Sequence, residues 1–226
     1  MISLSWSRLN SYNQCPRKFH LQFISKSFPD EEKSIHLVKG EQLHKQLEDY
    51  VMAKNGGAAM PLGFSPEVRE TLPYVDKLFT LYSQVYPEAQ VSCGKDWQPV
   101  EWFDKNSMYR AIWDVIGLRD TTCFIGDYKS GKVYPYGSTY GQLHLSAVIA
   151  LKRWPEVPEV NAAYIYIEHK KVLPIKVTRA ELPKVQEHFE NEFAKVQKEV
   201  NWDPTPNEFC KWCPATKAQC KFSRKL

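Results

Sequence analysis

The chain has 226 residues, 43% of them hydrophobic and 13% aromatic, so it can bury a large core and is not a disordered polypeptide. Its formal net charge of +4 is compatible with a polyanionic partner without identifying one. Because no apolar run reaches about 18 residues, we expect no membrane span. The N-terminus lacks the basic and apolar regions of a secretory signal, so we expect a cytoplasmic protein.

The first part of the chain is predicted to be helical. Residues 5–14 have the pattern of a short capped helix, and 32–54 have the apolar spacing of a longer one. Residues 65–86 form a third helix candidate, which begins with Pro66 at the first helical position.

The pattern changes to strands near residue 91. Three strand candidates, rich in aromatic and β-branched residues, are separated by turn-forming residues and lie at 91–103, 108–118 and 121–129. The later elements are a helix at 138–152, strands at 162–168 and 172–177, and an amphipathic helix at 180–200. Three meandering strands followed by a crossover helix predict an α/β fold with a mixed central β-sheet flanked by helices.

We expect these elements to form a single domain over 1–226. Its helical N-terminal part would be 1–90, its catalytic sheet core 91–178, and its C-terminal helix and cysteine-rich tail 179–226.

Two acidic residues and a lysine are the candidates for catalysis. Asp114 and Asp127 fall on consecutive strand candidates joined by a tight turn, so their carboxylates can meet at one edge of the sheet. Carboxylate oxygens suit Mg²⁺ or Mn²⁺, and the backbone carbonyl of Tyr128 could complete the coordination. Lys129 follows Asp127 by two residues and points to the same face of an extended strand. An isolated Asp-x-Lys usually marks a strand end, but unpaired carboxylates within apolar runs are costly, which favours a functional site.

Polar residues on two helices are further candidates. His44 can ligate a metal, although its position taken by itself favours an ordinary histidine on a helix surface. Gln142 opens the helix after the Asp-x-Lys strand, where it could orient the lysine, bind a phosphate or be an ordinary polar residue. Glu101, one strand earlier, could support the site or form a salt bridge.

The cysteines indicate a second metal centre. Cys210 and Cys213 form a Cys-x2-Cys pair, Cys220 follows after six residues, and Cys15 is the candidate fourth ligand. Such a thiolate set suits either a structural zinc or an iron–sulfur cluster. The remaining cysteines lie in strand patterns and are expected to be core residues; they are Cys93 and Cys123.

Several motifs follow one another in a recognisable order. The N-terminal motif reads Ser5-Trp6-Ser7-Arg8-Leu9-Asn10-Ser11-Tyr12-Asn13-Gln14-Cys15-Pro16-Arg17-Lys18-Phe19. The later ones are Gly40 with His44, then Asp114, then Gly126-Asp127-Tyr128-Lys129-Ser130-Gly131, and finally Gln142. In this order and spacing, nearly the whole chain resembles the PD-(D/E)XK nuclease superfamily, in particular RecB-like exonucleases and CRISPR-associated spacer-processing nucleases.

The resemblance implies a restriction-endonuclease-like core and metal-dependent DNA hydrolysis. It implies that His44, Asp114 and Asp127 bind the catalytic Mg²⁺ or Mn²⁺ and that Lys129 positions the attacking water, with Gln142 as the following motif. One branch of these nucleases has one early and three late cysteines, which favours a [4Fe-4S] cluster at Cys15, Cys210, Cys213 and Cys220. Relatives often have a tyrosine one turn after the glutamine, where this chain has Ser146, so Tyr136 or Tyr140 would have to replace it.

The expected partner is DNA that is single-stranded or has free ends, with the segment from Lys132 to Tyr140 as the main contact. The leading hypothesis is an exonuclease for DNA processing, recombination or repair in a prokaryotic or phage-infected cytoplasm, with possible protein partners in recombination or replication. The alternatives are a non-catalytic DNA-binding subunit of a recombination complex and a structural zinc protein.

Overall fold

The computed structural model describes residues 2–28, 34–133 and 141–224. The chain divides into two compact units. The larger is Ser34–Gln186, and the smaller combines Met1–Lys33 with Glu187–Leu226. A single nuclease domain over the whole chain therefore stays a prediction.

A six-stranded mixed sheet forms the centre of the larger unit. Its strands are β1 (Gln84–Cys93), β2 (Pro99–Val100), β3 (Tyr109–Arg119), β4 (Thr122–Lys129), β5 (Glu159–Tyr166) and β6 (Lys171–Thr178). They lie in the order β2-β1-β3-β4-β5-β6, and only the β4–β5 pair is parallel among the pairs described. A parallel pair needs a crossover, which here contains helix α5 (Gln142–Arg153). The predicted α/β fold with a mixed sheet flanked by helices is confirmed.

The predicted boundaries of the first strand were wrong. The expected helix at 65–86 ends at Leu81, and β1 already begins at Gln84. The strand expected at 91–103 is broken after Cys93, because Gly94 and the residues after it form a turn that leads into the two-residue strand β2. Glycine and aspartate in that turn are residues that favour chain reversal.

Two helices cover part of the sheet and complete its core. They are α3 (Ile35–Lys54), capped by Ser34, and α4 (Pro66–Leu81). Their buried residues pack with strand residues Val85, Val115, Tyr128 and Ile165 in one hydrophobic cluster. Burial of this apolar surface is the main stabilising term for the unit. None of the helices in the described parts of the chain combines the length and apolar character needed to cross a membrane.

The smaller unit contains the N-terminal helices and the C-terminal tail. Helices α1 (Trp6–Gln14) and α2 (Pro16–Phe19) lead into a π-helical turn at His20–Ile24, and α6 (Leu182–Lys198) runs into this unit from Glu187 onward. The Phe19 ring stacks on the Trp202 ring at 5.7 Å between centroids, and Tyr12 contacts both rings edge-on. Tyr12 also donates a hydrogen bond to Glu199, 2.9 Å away. These contacts connect the two ends of the chain.

Gly126 allows close packing against core residues of the neighbouring strands, which gives a stability prediction. An added Cβ would lie 2.6 Å from Val115 Cγ1 and 3.2 Å from Ile165 Cδ1. Because both neighbours belong to the packed core, we expect Gly126→Ala to lower the free energy of unfolding by about 1–3 kcal/mol. Denaturant unfolding would measure this. Gly63→Ala is the matched control, since its Cβ meets nothing within 4 Å, and equal stability of the two variants would contradict the packing argument.

Candidate active site

The two predicted aspartates lie where strands β3 and β4 stop pairing. The ladder between these strands runs from Arg119 opposite Thr122 to Val115 opposite Gly126, one residue short of Asp114 and Asp127. Beyond it, Asp114 Oδ2 accepts a hydrogen bond of 2.6 Å from the backbone N–H of Tyr128. Asp114 therefore spans the gap between the strands, and this contact fixes its carboxylate close to the Asp127–Lys129 segment.

Lys129 is held by three groups. Its Nζ lies 2.5 Å from Asp127 Oδ1, which is an ion-pair contact between residues two apart on one strand. The same ammonium donates a hydrogen bond of 3.0 Å to Gln142 Oε1 at the start of α5. It also lies 5.0 Å from the centroid of the Tyr164 ring, within the range of a cation–π contact. The structure thus brings together the three candidate residues Asp127, Lys129 and Gln142, and their catalytic roles stay a prediction.

Helix α3 brings His44 to the same place. His44 Nδ1 lies 3.6 Å from Asp114 Oδ2, and its ring contacts Tyr128 edge-on. One turn earlier, a Cβ on Gly40 would lie 2.7 Å from Ser130 Oγ, so a larger residue would require the Ser130 hydroxyl to turn away. Gly40 therefore allows α3 to pack closely against Ser130, just after β4.

Glu88 is a site residue that the sequence reasoning missed. The β1–β3 register places it opposite Asp114, between the paired residues Pro87 and Ala89, and it has a left-handed φ of 46°. One ligand atom each from His44, Glu88 and Asp114 lie within 4.8 Å of one another. The signal in the sequence was a glutamate within the alternating segment 84–93. Glu88 lies between the end of the expected helix at residue 86 and the start of the expected strand at residue 91, so it was assigned to neither element. A non-glycine residue in this backbone region costs energy, which is typical of functional sites.

The carboxylates repel one another in a desolvated environment. Burial raises the pKa of Asp127, with a further contribution from the charge of Asp114, although Lys129 opposes both. Burial and the charges of Asp114 and Glu48 raise the pKa of Glu88. For His44, burial would lower the pKa, but the contact with Asp114 and the charge of Asp127 outweigh it and raise the pKa. The site therefore favours an added positive charge.

These residues fit a divalent cation. Two carboxylates and an imidazole are suitable ligands for Mn²⁺ or Mg²⁺, and the three candidate ligand atoms already converge. Asp127 Oδ1 is buried, and its ion-pair partner is the Lys129 ammonium at 2.5 Å. A buried carboxylate is costly without compensating positive charge, so a bound divalent cation would stabilise it further.

An open cleft of about 640 Å³ gives access to this site. It is lined by Glu88, Ser130 and residues of α3, namely His36, Leu37, Gly40, Glu41, His44, Lys45 and Glu48.

Three other predicted positions have different outcomes. Glu101 is exposed in the loop after β2, and Glu88 takes the position opposite Asp114 instead. Ser146 is buried within α5. Tyr136, Tyr140 and most of the segment from Lys132 to Tyr140 lie outside the described residues.

The four predicted metal-ligating cysteines line one cavity in the smaller unit, namely Cys15, Cys210, Cys213 and Cys220. The Cys15 sulfur accepts a hydrogen bond from the N–H of Thr205, and the Cys210 sulfur accepts one from the N–H of Asn207, each at 3.4 Å. Cys93 and Cys123 are buried in β1 and β4, as expected of core residues.

The comparisons with known proteins identify the family. Residues 3–221 match a family model of the PD-(D/E)XK nuclease superfamily. The chain belongs to this superfamily.

Solved structures add a comparison at the level of fold. A protein from Eubacterium rectale, described as a candidate exonuclease, is similar to this chain with a TM-score of 0.54 and 13% identity, over 93% of this chain and 86% of the other. At this identity the likeness concerns the fold alone. The protein SSO0001 matches with 13% identity over 88% of this chain and 91% of its own length, but its TM-score of 0.36 supports no conclusion. No curated protein matches the sequence.

The geometry predicts which residues control metal affinity. We expect Glu88→Gln and Asp114→Asn each to weaken Mn²⁺ binding by about 10- to 100-fold, because each removes one charged oxygen ligand. Isothermal titration calorimetry of the purified protein would measure the affinity. Glu101→Gln is the matched control and should bind Mn²⁺ like the parent. If Glu88→Gln binds as tightly as Glu101→Gln, Glu88 is not a ligand.

Proposed function

We propose that this protein is a metal-dependent DNA exonuclease. The observation that carries the proposal is the position of the Lys129 ammonium, 2.5 Å from Asp127 Oδ1, beside the converging ligand atoms of His44, Glu88 and Asp114. A divalent cation held by these ligands, together with the fixed Lys129 ammonium, would stabilise the negative charge that develops on a phosphate during hydrolysis.

The residues of the site would have separate roles in metal binding and in hydrolysis. His44, Glu88, Asp114 and Asp127 would hold the cation, which when bound supplies Lewis-acid stabilisation of phosphate oxygens. Lys129 would orient the attacking water and stabilise the charge on the phosphate. Gln142 would keep the lysine pointing at the site, because its side-chain oxygen accepts a hydrogen bond from the ammonium.

The proposed substrate follows from the comparisons with known proteins, whereas the proposed hydrolysis follows from the geometry of the site. Superfamily membership implies a nucleic acid, and the structural neighbour from Eubacterium rectale is described as a candidate exonuclease. DNA with free ends or single-stranded DNA therefore stays our preferred substrate. Protein partners in recombination or replication, and a cytoplasmic location, stay predictions from the sequence.

The arrangement favours catalysis over a non-catalytic DNA-binding module. A module that only binds DNA has no need of a buried Asp127 carboxylate or of a lysine fixed by three contacts. Retaining such a costly arrangement is typical of active sites.

Nuclease activity is tested with end-labelled single- and double-stranded DNA in the presence of Mg²⁺ or Mn²⁺. We expect Lys129→Met to reduce the cleavage rate by about 100- to 1,000-fold, because it removes a preorganised charge at the reacting phosphate. Lys176→Met is the matched control, since Lys176 is an exposed lysine of β6 that pairs with Glu159. Equal cleavage by the two variants would overturn the assigned role of Lys129, and release of internal fragments before terminal nucleotides would replace the exonuclease with an endonuclease.

We also propose that Cys15, Cys210, Cys213 and Cys220 bind a [4Fe-4S] cluster. The four cysteines share one cavity, and two of their sulfurs accept backbone N–H bonds of the kind that tune such clusters. A single structural zinc with four thiolate ligands is the alternative occupant of this cavity.

Anaerobic purification tests the cluster. We expect a brown protein with about four iron atoms and absorbance near roughly 400 nm, both of which Cys213→Ser should strongly reduce. Cys123→Ala is the control, because Cys123 is a buried strand residue outside the cavity. A colourless parent protein that contains one zinc would support the alternative zinc site instead.

A further inference from the structure

The C-terminal tail has three partly exposed aromatic side chains, and two of them, Phe209 and Phe222, also line the cysteine cavity. The exposed fractions of Phe209, Trp212 and Phe222 are 47%, 64% and 40%. The Phe209 and Trp212 rings lie 6.2 Å apart between centroids, so they form one apolar surface beside Cys210 and Cys213. Exposed aromatic surface of this kind is costly in water and commonly marks a binding site.

Two of these rings make cation–π contacts with lysines of the same segment. Lys211 Nζ lies 3.9 Å from the centroid of the Trp212 ring, and Lys221 Nζ lies 5.1 Å from that of Phe222. In each pair the ammonium lies over one face of the ring, so a positive charge is next to an aromatic surface. A single-stranded nucleic acid needs both, because its bases stack on aromatic rings while its phosphates attract cations.

The charge of the tail is complementary to a polyanion. Between residues 207 and 224 the basic side chains are Lys211, Lys217, Lys221 and Arg224, and the acidic one is Glu208. Balancing the thiolates of a bound metal is an alternative role for these cations. However, Arg17 and Lys18 already line the cysteine cavity, and the Lys211 ammonium is directed onto an exposed ring.

We propose that Phe209, Lys211, Trp212, Lys221 and Phe222 form a second nucleic-acid contact, the tail surface, which binds single-stranded DNA by stacking and phosphate contacts. The proposal rests on the proposed function only for the class of ligand. The tail surface adds binding energy for the substrate and takes no part in hydrolysis.

Binding without cleavage tests the tail surface. Fluorescence anisotropy with a labelled oligothymidylate would be measured in the full-length Lys129→Met protein, with no Mg²⁺ or Mn²⁺ added. We expect the further change Trp212→Ala to weaken the affinity about 10-fold, and Trp212→Phe to restore most of it, because phenylalanine keeps a stacking face.

The phosphate contacts are tested by the salt dependence of the affinity. Lys211→Gln and Lys221→Gln should each reduce the slope of log affinity against log salt by about 0.7. Phe103→Ala is the matched control, since Phe103 is a highly exposed aromatic of the other unit.

Metal content is measured for every variant. If Trp212→Ala loses its metal, the salt slopes of the two lysine variants decide the question. The proposal is overturned if Trp212→Ala and Phe222→Ala bind like Phe103→Ala, if the lysine variants keep the parental salt slope, or if the parent binds no single-stranded DNA. The cleavage assay with added Mg²⁺ or Mn²⁺ tests the proposed nuclease function separately. The result for the tail surface and the result for the nuclease function are therefore independent of each other.

Discussion

Crowding of carboxylates at the edge of the sheet is the constraint on which the site depends. Glu88, Asp114 and Asp127 come from three neighbouring strands, and burial raises the pKa of Glu88 and of Asp127. Lys129 and, when protonated, His44 offset part of this negative charge. Such an arrangement lowers stability unless something offsets the repulsion, and a divalent cation would do so directly.

The backbone produces this crowding through two local departures from regular structure. The β3–β4 ladder ends one residue before the aspartates, which frees the N–H of Tyr128 to bond Asp114. On the other side, the left-handed conformation of Glu88 interrupts the pairing of β1 with β3. The close approach of α3 at Gly40 then adds His44. The regular sheet supplies a rigid frame, and its irregular positions carry the chemistry.

Much of this arrangement could be predicted from the sequence, because it depends on short-range patterns. A tight turn between two strands places Asp114 near Asp127, and a two-residue spacing puts Lys129 beside Asp127. Glu88 could not be found in this way, since its position depends on the β1–β3 register and on where α4 ends. Both are set by tertiary packing, and a helical pattern that continued to residue 86 gave the wrong boundary. Gln142 was found, but only the structure shows that it accepts a hydrogen bond from Lys129.

The central claim is that one divalent cation binds among His44, Glu88, Asp114 and Asp127. Anomalous diffraction from crystals soaked in Mn²⁺ tests it most directly, because it locates the metal without relying on activity. We expect a single strong peak within about 2.5 Å of carboxylate oxygens of Glu88, Asp114 and Asp127 and of a ring nitrogen of His44. A peak that contacts none of the three carboxylates, or no peak under conditions in which the protein cleaves DNA, would contradict this account of the site.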